Sequence, residues 1–343
     1  MAERETWVVV GLDNGGNKNN ATVLDPATRV FLVDDMIETP SRVQEGPEVA
    51  VEALAAAFDD VLRRTGIPRE RVRVVGFDSP GPASASGVIS QRGSTNFGAP
   101  AWWGFDFRGA LEARLRLPVV YSNDGNAAAL YAHHVYFGAD APVRSSVSAI
   151  VGTGLGGGLI ERGRIITGAT GMAGELGHVH IPMDGLLADG QPVPRCNCGA
   201  YGDAESVASL TGIENNLLPY WLTRFEGHPL GKPGLPGRAA LLVRSYAERQ
   251  DPMALAIFEQ QAKAIGRLFT VASNFTDPHV YFVGGGVVET EPAFRDWFLG
   301  RLAEATTLRE EQRRAARFAL VPDLDMAGAR GAAIAALETV HAR

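Results

Sequence analysis

The sequence is poor in cysteine: its 343 residues include only Cys196 and Cys198. Cysteine this scarce is typical of a reducing compartment. No apolar run reaches the length that a membrane-spanning helix requires, and the first residues lack the pattern of a signal peptide. These absences predict a cytoplasmic protein with no membrane partner.

Basic residues are outnumbered, with 32 Lys and Arg against 39 Asp and Glu, and the formal net charge is -7. Because nucleic acid is densely negative, this balance and the lack of a basic block argue against nucleic acid as a partner. With 45% hydrophobic residues the chain can bury a substantial core. Its length predicts two lobes.

Glycine is plentiful where predicted strands end. A strand from Trp7 to Leu12 runs into Asp13-Asn14-Gly15-Gly16-Asn17, and Ala21 to Leu24 completes a β-hairpin. Glycine turns let backbone N–H groups approach a phosphate, and the carboxylate of Asp13 can hold a metal-bound water. An ordinary hairpin turn is the alternative for this motif alone.

A second strand–glycine–strand unit lies about half a chain later, where Val147 to Val151 precedes the turn Gly152–Gly158 and the strand Leu159-Ile160. The repetition predicts two related lobes. A third cluster, Gly284–Gly286, follows the strand Val280 to Val283. Three glycine clusters after strands indicate a nucleotide site, although each alone is a weak signal.

Asp124 lies where the strand Leu117 to Tyr121 gives way to an alanine-rich helix. Ligands of α/β folds bind at the carboxyl ends of strands, so Asp124 is a candidate base, with a helix N-cap as its structural alternative. An earlier strand, Arg73 to Phe77, leads into a turn over residues 78–82. The loop Ser94 to Trp103 suits either sugar binding or core packing.

The whole chain resembles the ROK family of bacterial sugar kinases. The family's landmarks occur in family order, as Asp13-x-Gly15-Gly16, Pro80-Gly81-Pro82, Asn123-Asp124-x-Asn126-Ala127, Gly152-Thr153-Gly154-x-Gly156-Gly157-Gly158, Glu175-x-Gly177-His178, Cys196-x-Cys198-Gly199, Asp277-Pro278 and Gly284-Gly285-Gly286. The resemblance implies an α/β, two-lobed actin/hexokinase-like (ribonuclease H-like) fold with internal duplication. Residues 1–120 with 325–343 would form the N-terminal lobe, and residues 121–324 the C-terminal lobe.

The resemblance also implies a glucokinase-like activity, in which ATP phosphorylates a sugar hydroxyl, the 6-hydroxyl of a hexose or N-acetylhexosamine. Asp124 would take the proton of that hydroxyl, and Mg²⁺ would bridge the ATP phosphates with Asp13 holding it directly or through water. The implied sugar-binding residues are Asn96, Asn123, Asp124, Glu175, His178 and Glu205. The implied ATP-binding residues are Asp13, Gly15, Gly16, Asn17, Thr153, Gly154, Gly156, Gly285 and Gly286. A homodimer or homotetramer is the expected assembly.

The chain departs from the family pattern at Asn17, where the family usually has threonine. An amide still donates to phosphate, so altered rather than lost ATP binding is expected. The span before Cys196 is also longer than usual, which changes a wall near the sugar pocket.

A further departure concerns zinc, which the family holds with the histidine of its Glu-x-Gly-His motif and three cysteines. Here His178, Cys196 and Cys198 are joined by Asp203 in place of the third cysteine. Aspartate is a legitimate zinc ligand. His180 is a rival fourth ligand, since residues two apart on a strand share a face. Two free thiols without a metal are the remaining possibility.

Repressor members of the family carry a DNA-binding segment before the first kinase strand, and here that strand begins at Trp7, which disfavours repression. Two hypotheses about function stay open beside the hexose kinase. One is a kinase for a cyclitol or another sugar-like alcohol, and the second is a sugar-binding regulatory protein with degenerate catalysis. Intact Asp124 argues against the regulatory protein, and nothing in the sequence separates individual sugars.

Overall fold

The structure, a computed structural model, describes residues 7–81, 84–90, 96–232 and 238–341, so Pro82 of the expected Pro80–Pro82 turn lies outside them. Within these ranges the strands are β1 (Val8–Asn14), β2 (Lys18–Leu24), β3 (Thr39–Pro40), β4 (Val72–Ser79), β5 (Val119–Asn123), β6 (Ser146–Val151), β7 (Leu155–Glu161), β8 (Arg164–Ile165), β9 (Val280–Gly285) and β10 (Arg317–Leu320). The α-helices there are α1 (Pro47–Thr65), α2 (Phe107–Leu115), α3 (Asp124–Phe137), α4 (Glu205–Ala208), α5 (Leu210–Gly212), α6 (Leu218–Leu222), α7 (Ala239–Ala247), α8 (Pro252–Thr276), α9 (Pro292–Ala305), α10 (Glu310–Ala315) and α11 (Leu324–His341). None of these helices combines the length and apolar character needed to cross a membrane.

The strands form two five-stranded sheets with matching order, β3-β2-β1-β4-β5 and β8-β7-β6-β9-β10. In the first sheet β2 is antiparallel to β1, whereas β4 and β5 follow in parallel. In the second sheet β7 is antiparallel to β6, whereas β9 and β10 follow in parallel. The same order and the same directions confirm the α/β fold with internal duplication.

The chain divides into two compact units. The first takes the described parts of Met1–Ala139, Ile165–Gly174 and Pro322–Arg343, and the second takes Asp140–Arg164 with Glu175–Val321. The first unit runs past the expected boundary at residue 120 because α3 packs against α11. A Cβ on Gly331 of α11 would stand 1.8 Å from the carbonyl oxygen of Ala127 in α3.

In the first unit, α1 and α11 cover opposite faces of the sheet. Val10 and Leu12 of β1 share a buried cluster with Phe58 of α1. Residues alternate between faces along a strand, and Gly11 and Gly76 face α11. A Cβ at either glycine would lie 2.0 Å or less from an α11 carbonyl oxygen. Helix α11 therefore rests directly on the strand backbones.

In the second unit, α8 supplies the central helix of the core. Its buried apolar residues recur at helical spacing and include Ile257, Ile265, Leu268 and Phe269. They share one cluster with residues of β6 and β9 and with the buried face of α9. This packing fixes the second sheet and the loops at its strand ends.

Two local expectations were wrong. Strand β7 begins at Leu155, so Gly156–Gly158 lie in a strand rather than in the turn. A Cβ on Gly157 would stand 2.1 Å from the carbonyl oxygen of Ser148 on β6. Glycine is therefore needed there because β6 and β7 approach each other too closely for a side chain. Similarly, β4 continues through Asp78 and Ser79, which were expected in a turn.

Candidate active site

The first glycine turn, between β1 and β2, consists of Gly15, Gly16 and Asn17. It is closed by a hydrogen bond of 2.8 Å that the backbone N–H of Gly15 donates to the carbonyl of Lys18. A Cβ on Gly16 would lie 2.6 Å from Oδ1 of Asn96. The structure thus brings an expected sugar-binding amide against the expected phosphate-binding turn. Asn17 is exposed beside them.

Asp124 is the first residue of α3, at the carboxyl end of β5. The N-cap is Asn123, whose Oδ1 accepts a hydrogen bond of 3.0 Å from the backbone N–H of Asn126. The N-cap interpretation of Asp124 is therefore wrong. The Asp124 carboxylate accepts from the backbone N–H of Gly125 at 2.7 Å and lies at the surface of the first unit.

Two more carboxylates lie on the same sheet. Asp13 and Asp78 are register partners on the parallel strands β1 and β4. Burial raises the pKa of Asp13 to about 7, and the Asp124 carboxylate adds to the effect. Burial also raises the pKa of Asp78 well above its usual range, with further contributions from Asp13 and Asp124. The three acidic groups therefore act on one another.

Asp78 is the functional candidate that the sequence reasoning missed. The available signal was a repeated pattern, because Gly11-Leu12-Asp13 and Gly76-Phe77-Asp78 both read glycine, apolar, aspartate. In each strand the glycine admits α11, and the aspartate two residues later points to the same face. Strand alternation predicts this placement once both segments are assigned to strands.

The second glycine turn joins β6 to β7. The backbone N–H of Gly152 donates to the carbonyl of Gly154 at 2.9 Å, and the backbone N–H groups of Leu210 and Thr211 hold the Gly152 and Thr153 carbonyls. The start of α5 thereby fixes the turn and leaves Thr153 exposed.

The glycines after β9 lie beside this second turn. Gly285 pairs in parallel register with Val151, the last residue of β6. It has φ +90°, and a Cβ there would stand 2.0 Å from the Val151 carbonyl oxygen. The backbone N–H of Gly286 donates to that oxygen at 3.1 Å. The residues expected to bind ATP in the second unit therefore gather at the ends of β6 and β9.

Glu205 connects that turn to the cysteine loop. Its Oε2 accepts a hydrogen bond of 2.9 Å from the backbone N–H of Leu155, and its Oε1 accepts from Sγ of Cys196 at 3.4 Å. Burial raises the pKa of Glu175, which His178 lowers and Glu205 raises further. Glu175, His178 and Glu205, all expected to bind sugar, are thus neighbours in the second unit.

The four expected metal ligands converge. One ligand atom from each of His178, Cys196, Cys198 and Asp203 lies within 4.8 Å of the others. Nδ1 of His178 is 3.4 Å from Oδ2 of Asp203 and 3.7 Å from Sγ of Cys196, and Sγ of Cys198 is 3.7 Å from Oδ2 of Asp203. Zinc bonds of about 2.0–2.3 Å in a tetrahedron separate the ligand atoms by roughly 3.3–3.8 Å. These three separations lie in that range, which suits a tetrahedral metal, and His180 is not part of the group.

Asp203 is fixed for this role. Its side chain is fully buried, and its Oδ1 accepts a hydrogen bond of 2.9 Å from the backbone N–H of Ser206. Burial would raise its pKa, but hydrogen bonds from His178, Cys196 and Ser206 lower it overall. In turn the hydrogen bond to Asp203 raises the pKa of His178 to about 9, although burial opposes it. Burial is the largest cause that raises the pKa of the Cys196 thiol.

The expected site residues fall into two groups, one in each unit. The first unit holds Asp13, Gly15, Gly16, Asn17, Asn96, Asn123 and Asp124. The second unit holds Thr153, Gly154, Gly156, Glu175, His178, Cys196, Cys198, Asp203, Glu205, Gly285 and Gly286. Gly156 differs from the other glycines in lying within β7, opposite Ile150.

Comparison with known proteins gives consistent matches along the chain. It is 31% identical over 292 residues to a glucokinase of Halalkalibacterium halodurans, covering 84% of this chain and 82% of the relative. It is 30% identical over 284 residues to an N-acetyl-D-glucosamine kinase of Escherichia coli, covering 81% and 83%.

Solved structures match over almost the whole chain. A ROK hexokinase from Thermus thermophilus superposes with a TM-score of 0.75 at 30% identity, covering 98% of this chain and all of that one. A ROK family glucokinase from Streptomyces griseus, in complex with glucose and AMPPNP, gives 0.69 at 27% identity, covering 96% and 99%. The ROK family itself matches residues 9–339. With this sheet duplication and these site residues, the chain belongs to the ROK family.

Proposed function

We propose that this protein is an ATP-dependent sugar kinase that phosphorylates the 6-hydroxyl of a hexose or N-acetylhexosamine. Relatives named glucokinase and N-acetyl-D-glucosamine kinase cover more than four fifths of the chain. A structural neighbour holds glucose with AMPPNP, a non-hydrolysable relative of ATP. These likenesses support the sugar-kinase activity, and the choice of the 6-hydroxyl is our proposal.

The observation that carries the proposal is the position of Asp124. A sugar hydroxyl is a poor nucleophile at neutral pH, so a carboxylate within reach must accept its proton as the phosphoryl group is transferred. Asp124 presents an exposed carboxylate at the carboxyl end of β5, held by the first turn of α3. Its backbone position is fixed by the Asn123 cap, which suits a base that must stay aligned.

Sugar recognition requires donors and acceptors side by side, because each hydroxyl can both donate and accept. Asn96 lies beside the first glycine turn and supplies an amide. In the second unit Glu175 and Glu205 supply carboxylates. The Nδ1 atom of His178 faces Asp203 and Cys196, so its Nε2 remains for a sugar hydroxyl. We assign these residues to sugar binding.

The glycine turns are the proposed phosphate sites. Gly15 and Gly16 lie in the first turn, Thr153 and Gly154 in the second, and Gly285-Gly286 beside the second. Backbone N–H groups in such turns form concavities that suit anions. Mg²⁺, when bound with ATP, neutralises charge on the transferring phosphates. The carboxylate oxygens of Asp13 are the ligand type that Mg²⁺ prefers.

We also propose a structural zinc ion on His178, Cys196, Cys198 and Asp203. The support is the convergence of the four ligand atoms, three of whose separations suit a zinc tetrahedron, and their chemistry, since zinc accepts thiolate, imidazole and carboxylate ligands. Asp203 lies two residues before Glu205, and its Oδ1 accepts from the backbone N–H of Ser206, so the metal would hold the segment that carries a sugar-binding carboxylate. Zinc bound at this site would therefore stabilise sugar binding indirectly. The homo-oligomeric assembly and the cytoplasmic location stay predictions.

A panel of sugars and cyclitols incubated with ATP and Mg²⁺, read by ADP release, tests the function. We expect rapid release with at least one hexose or N-acetylhexosamine and little release without an acceptor. ³¹P NMR of the product identifies the phosphorylated hydroxyl. Turnover with cyclitols alone would show that the substrate is a cyclitol and not a hexose. Sugar binding without any turnover would favour a regulatory binding protein.

A further inference from the structure

Asp78 is a buried carboxylate that the proposed reaction has not yet used. Its side chain is fully buried, and neither Oδ1 nor Oδ2 has a hydrogen-bond partner on any other described residue. Buried polar atoms are nearly always hydrogen-bonded, and an unpaired buried carboxylate is among the costliest groups to leave unsatisfied. A ligand that satisfies these two oxygens is therefore expected.

The Asp78 carboxylate points toward Asp13. Gly328 of α11 lies against both of them, because a Cβ there would stand 3.0 Å from Oδ2 of Asp78 and 3.0 Å from Oδ2 of Asp13. Only glycine lets α11 approach the two carboxylates this closely. The two carboxylates therefore lie close together at the carboxyl ends of adjacent parallel strands.

The surroundings of these two carboxylates favour a cation held between them. The charged groups with the largest influence on Asp13 and Asp78 are other carboxylates, including Asp124. Among the ion pairs of the described residues, none joins Asp13 or Asp78 to a lysine, arginine or histidine. A proton on Asp78 would lower the charge but leave buried oxygens unpaired. A cation satisfies both the charge and the oxygens.

We propose that Asp13 and Asp78 together hold a divalent cation on the first unit before nucleotide binds. Hard cations such as Mg²⁺ and Mn²⁺ take carboxylate oxygens, and Mg²⁺ commonly uses one or two carboxylates while keeping several waters. The remaining coordination positions would be open to water or to phosphate oxygens. The proposal rests on the Mg²⁺ requirement of the proposed function and assigns Asp78 as an additional ligand in this chain.

Binding of Mn²⁺ without nucleotide tests this assignment, with the free ion measured by electron paramagnetic resonance. The protein is first incubated with zinc, so that the His178 and cysteine site does not take up Mn²⁺. We expect wild type to bind about one Mn²⁺ per chain, and Asp78→Asn to weaken that affinity by about tenfold or more, as loss of a metal-site carboxylate typically does. Asp106→Asn, which removes one carboxylate charge from a helix cap elsewhere in the same unit, should bind as wild type does.

Thermal melting gives a second readout that separates a ligand from a merely structural residue. Without added Mn²⁺, Asp78→Asn should melt at or above wild type, because it removes a carboxylate whose ionised form burial and Asp13 disfavour. Added Mn²⁺ should raise the melting temperature of wild type and leave that of Asp78→Asn nearly unchanged.

Absence of nucleotide-free Mn²⁺ binding in wild type, or equal affinity in Asp78→Asn, would overturn the proposal. If Asp78→Asn does not fold, Mn²⁺ binding by wild type and by Asp13→Asn tests the proposal instead, because Asp13→Asn should also lose the ion. Sugar-dependent ADP release by wild type is measured separately. Absence of the cation site would therefore not contradict the kinase function, and absence of turnover would not contradict the cation site.

Discussion

Asp203 shows how one side chain can stand in for another at a ligand position. A carboxylate oxygen is a harder ligand than a thiolate sulfur, and its bond to zinc is shorter. Here Asp203 is buried, fixed by the backbone N–H of Ser206, and 3.4 Å from Nδ1 of His178. The surrounding backbone thus places an oxygen where the family pattern has a sulfur.

Removal of the metal should expose a pH dependence at this residue pair. Hydrogen bonding to Asp203 raises the pKa of His178 from 6.5 to about 9. A raised pKa means that the pair stabilises the fold fully below about pH 6.5 and loses this contribution as the pH rises through about 9. Zinc on Nδ1 excludes the proton, so the zinc-loaded protein should lack this window.

Urea unfolding between about pH 6 and 10, with and without a chelator, measures the effect. His178→Gln should abolish the window in the chelated protein, which makes it the control. Elemental analysis should find one zinc per chain in wild type. Zinc well below that level, or the same pH dependence with and without zinc, would remove the metal from the account.

At the scale of elements, glycine decides how the strand ends meet. Gly285 combines φ +90° with a Cβ position 2.0 Å from the Val151 carbonyl oxygen, so the contact between β6 and β9 admits no side chain. Gly300 in α9 is the opposite case, because it is exposed and nothing lies within 4 Å of its Cβ position.

Alanine substitutions at these two glycines should therefore change stability in opposite directions. Gly285→Ala should cost about 1–3 kcal/mol or more through strain and the backbone clash. Gly300→Ala should stabilise by about 0.5–1 kcal/mol, because alanine is the better helix former. Chemical denaturation measures both, and equal effects of one sign would show that the contact at Gly285 is wrongly described.

Local patterns predicted some elements well and others poorly. The sequence predicts a helix from Pro292 to Ala305, and α9 has these bounds, with proline at its start and buried apolar residues four apart at Phe294, Phe298 and Leu302. The glycine run after Gly152 was expected as one turn, but half of it is strand. Glycine identity alone does not distinguish a turn from a close backbone approach, since both require a missing side chain.

The three carboxylates Asp13, Asp78 and Asp124 show the same limit of local sequence patterns at the candidate site. Asp13 and Asp124 were found because family landmarks contain them. Asp78 was missed because its importance arises from parallel pairing with β1, a contact between distant parts of the chain that no local pattern displays. The sequence suggested a role for each landmark residue, whereas the unsatisfied buried oxygens of Asp78 become visible only in the folded protein.

At the scale of the whole molecule, the duplication explains why the chemistry is distributed. Each unit contains an antiparallel glycine hairpin beside two parallel strands. The first unit carries the proposed base Asp124 with Asp13 and Asp78, and the second carries the proposed metal loop and the glycines after β9. A strand–turn–strand pattern that occurs twice thus supplies two proposed phosphate-binding turns from one kind of local structure.

The central claim, that Asp124 is the general base of a sugar kinase, is tested most directly by comparing the turnover number of wild type and Asp124→Asn with the preferred sugar and saturating ATP. Asparagine keeps the size of the side chain, and Asn123 remains as the helix cap. General-base loss typically lowers the rate by about 10²–10⁴-fold, so we predict a fall of that size with the melting temperature and ATP binding retained. Near-normal turnover in folded Asp124→Asn would contradict the account.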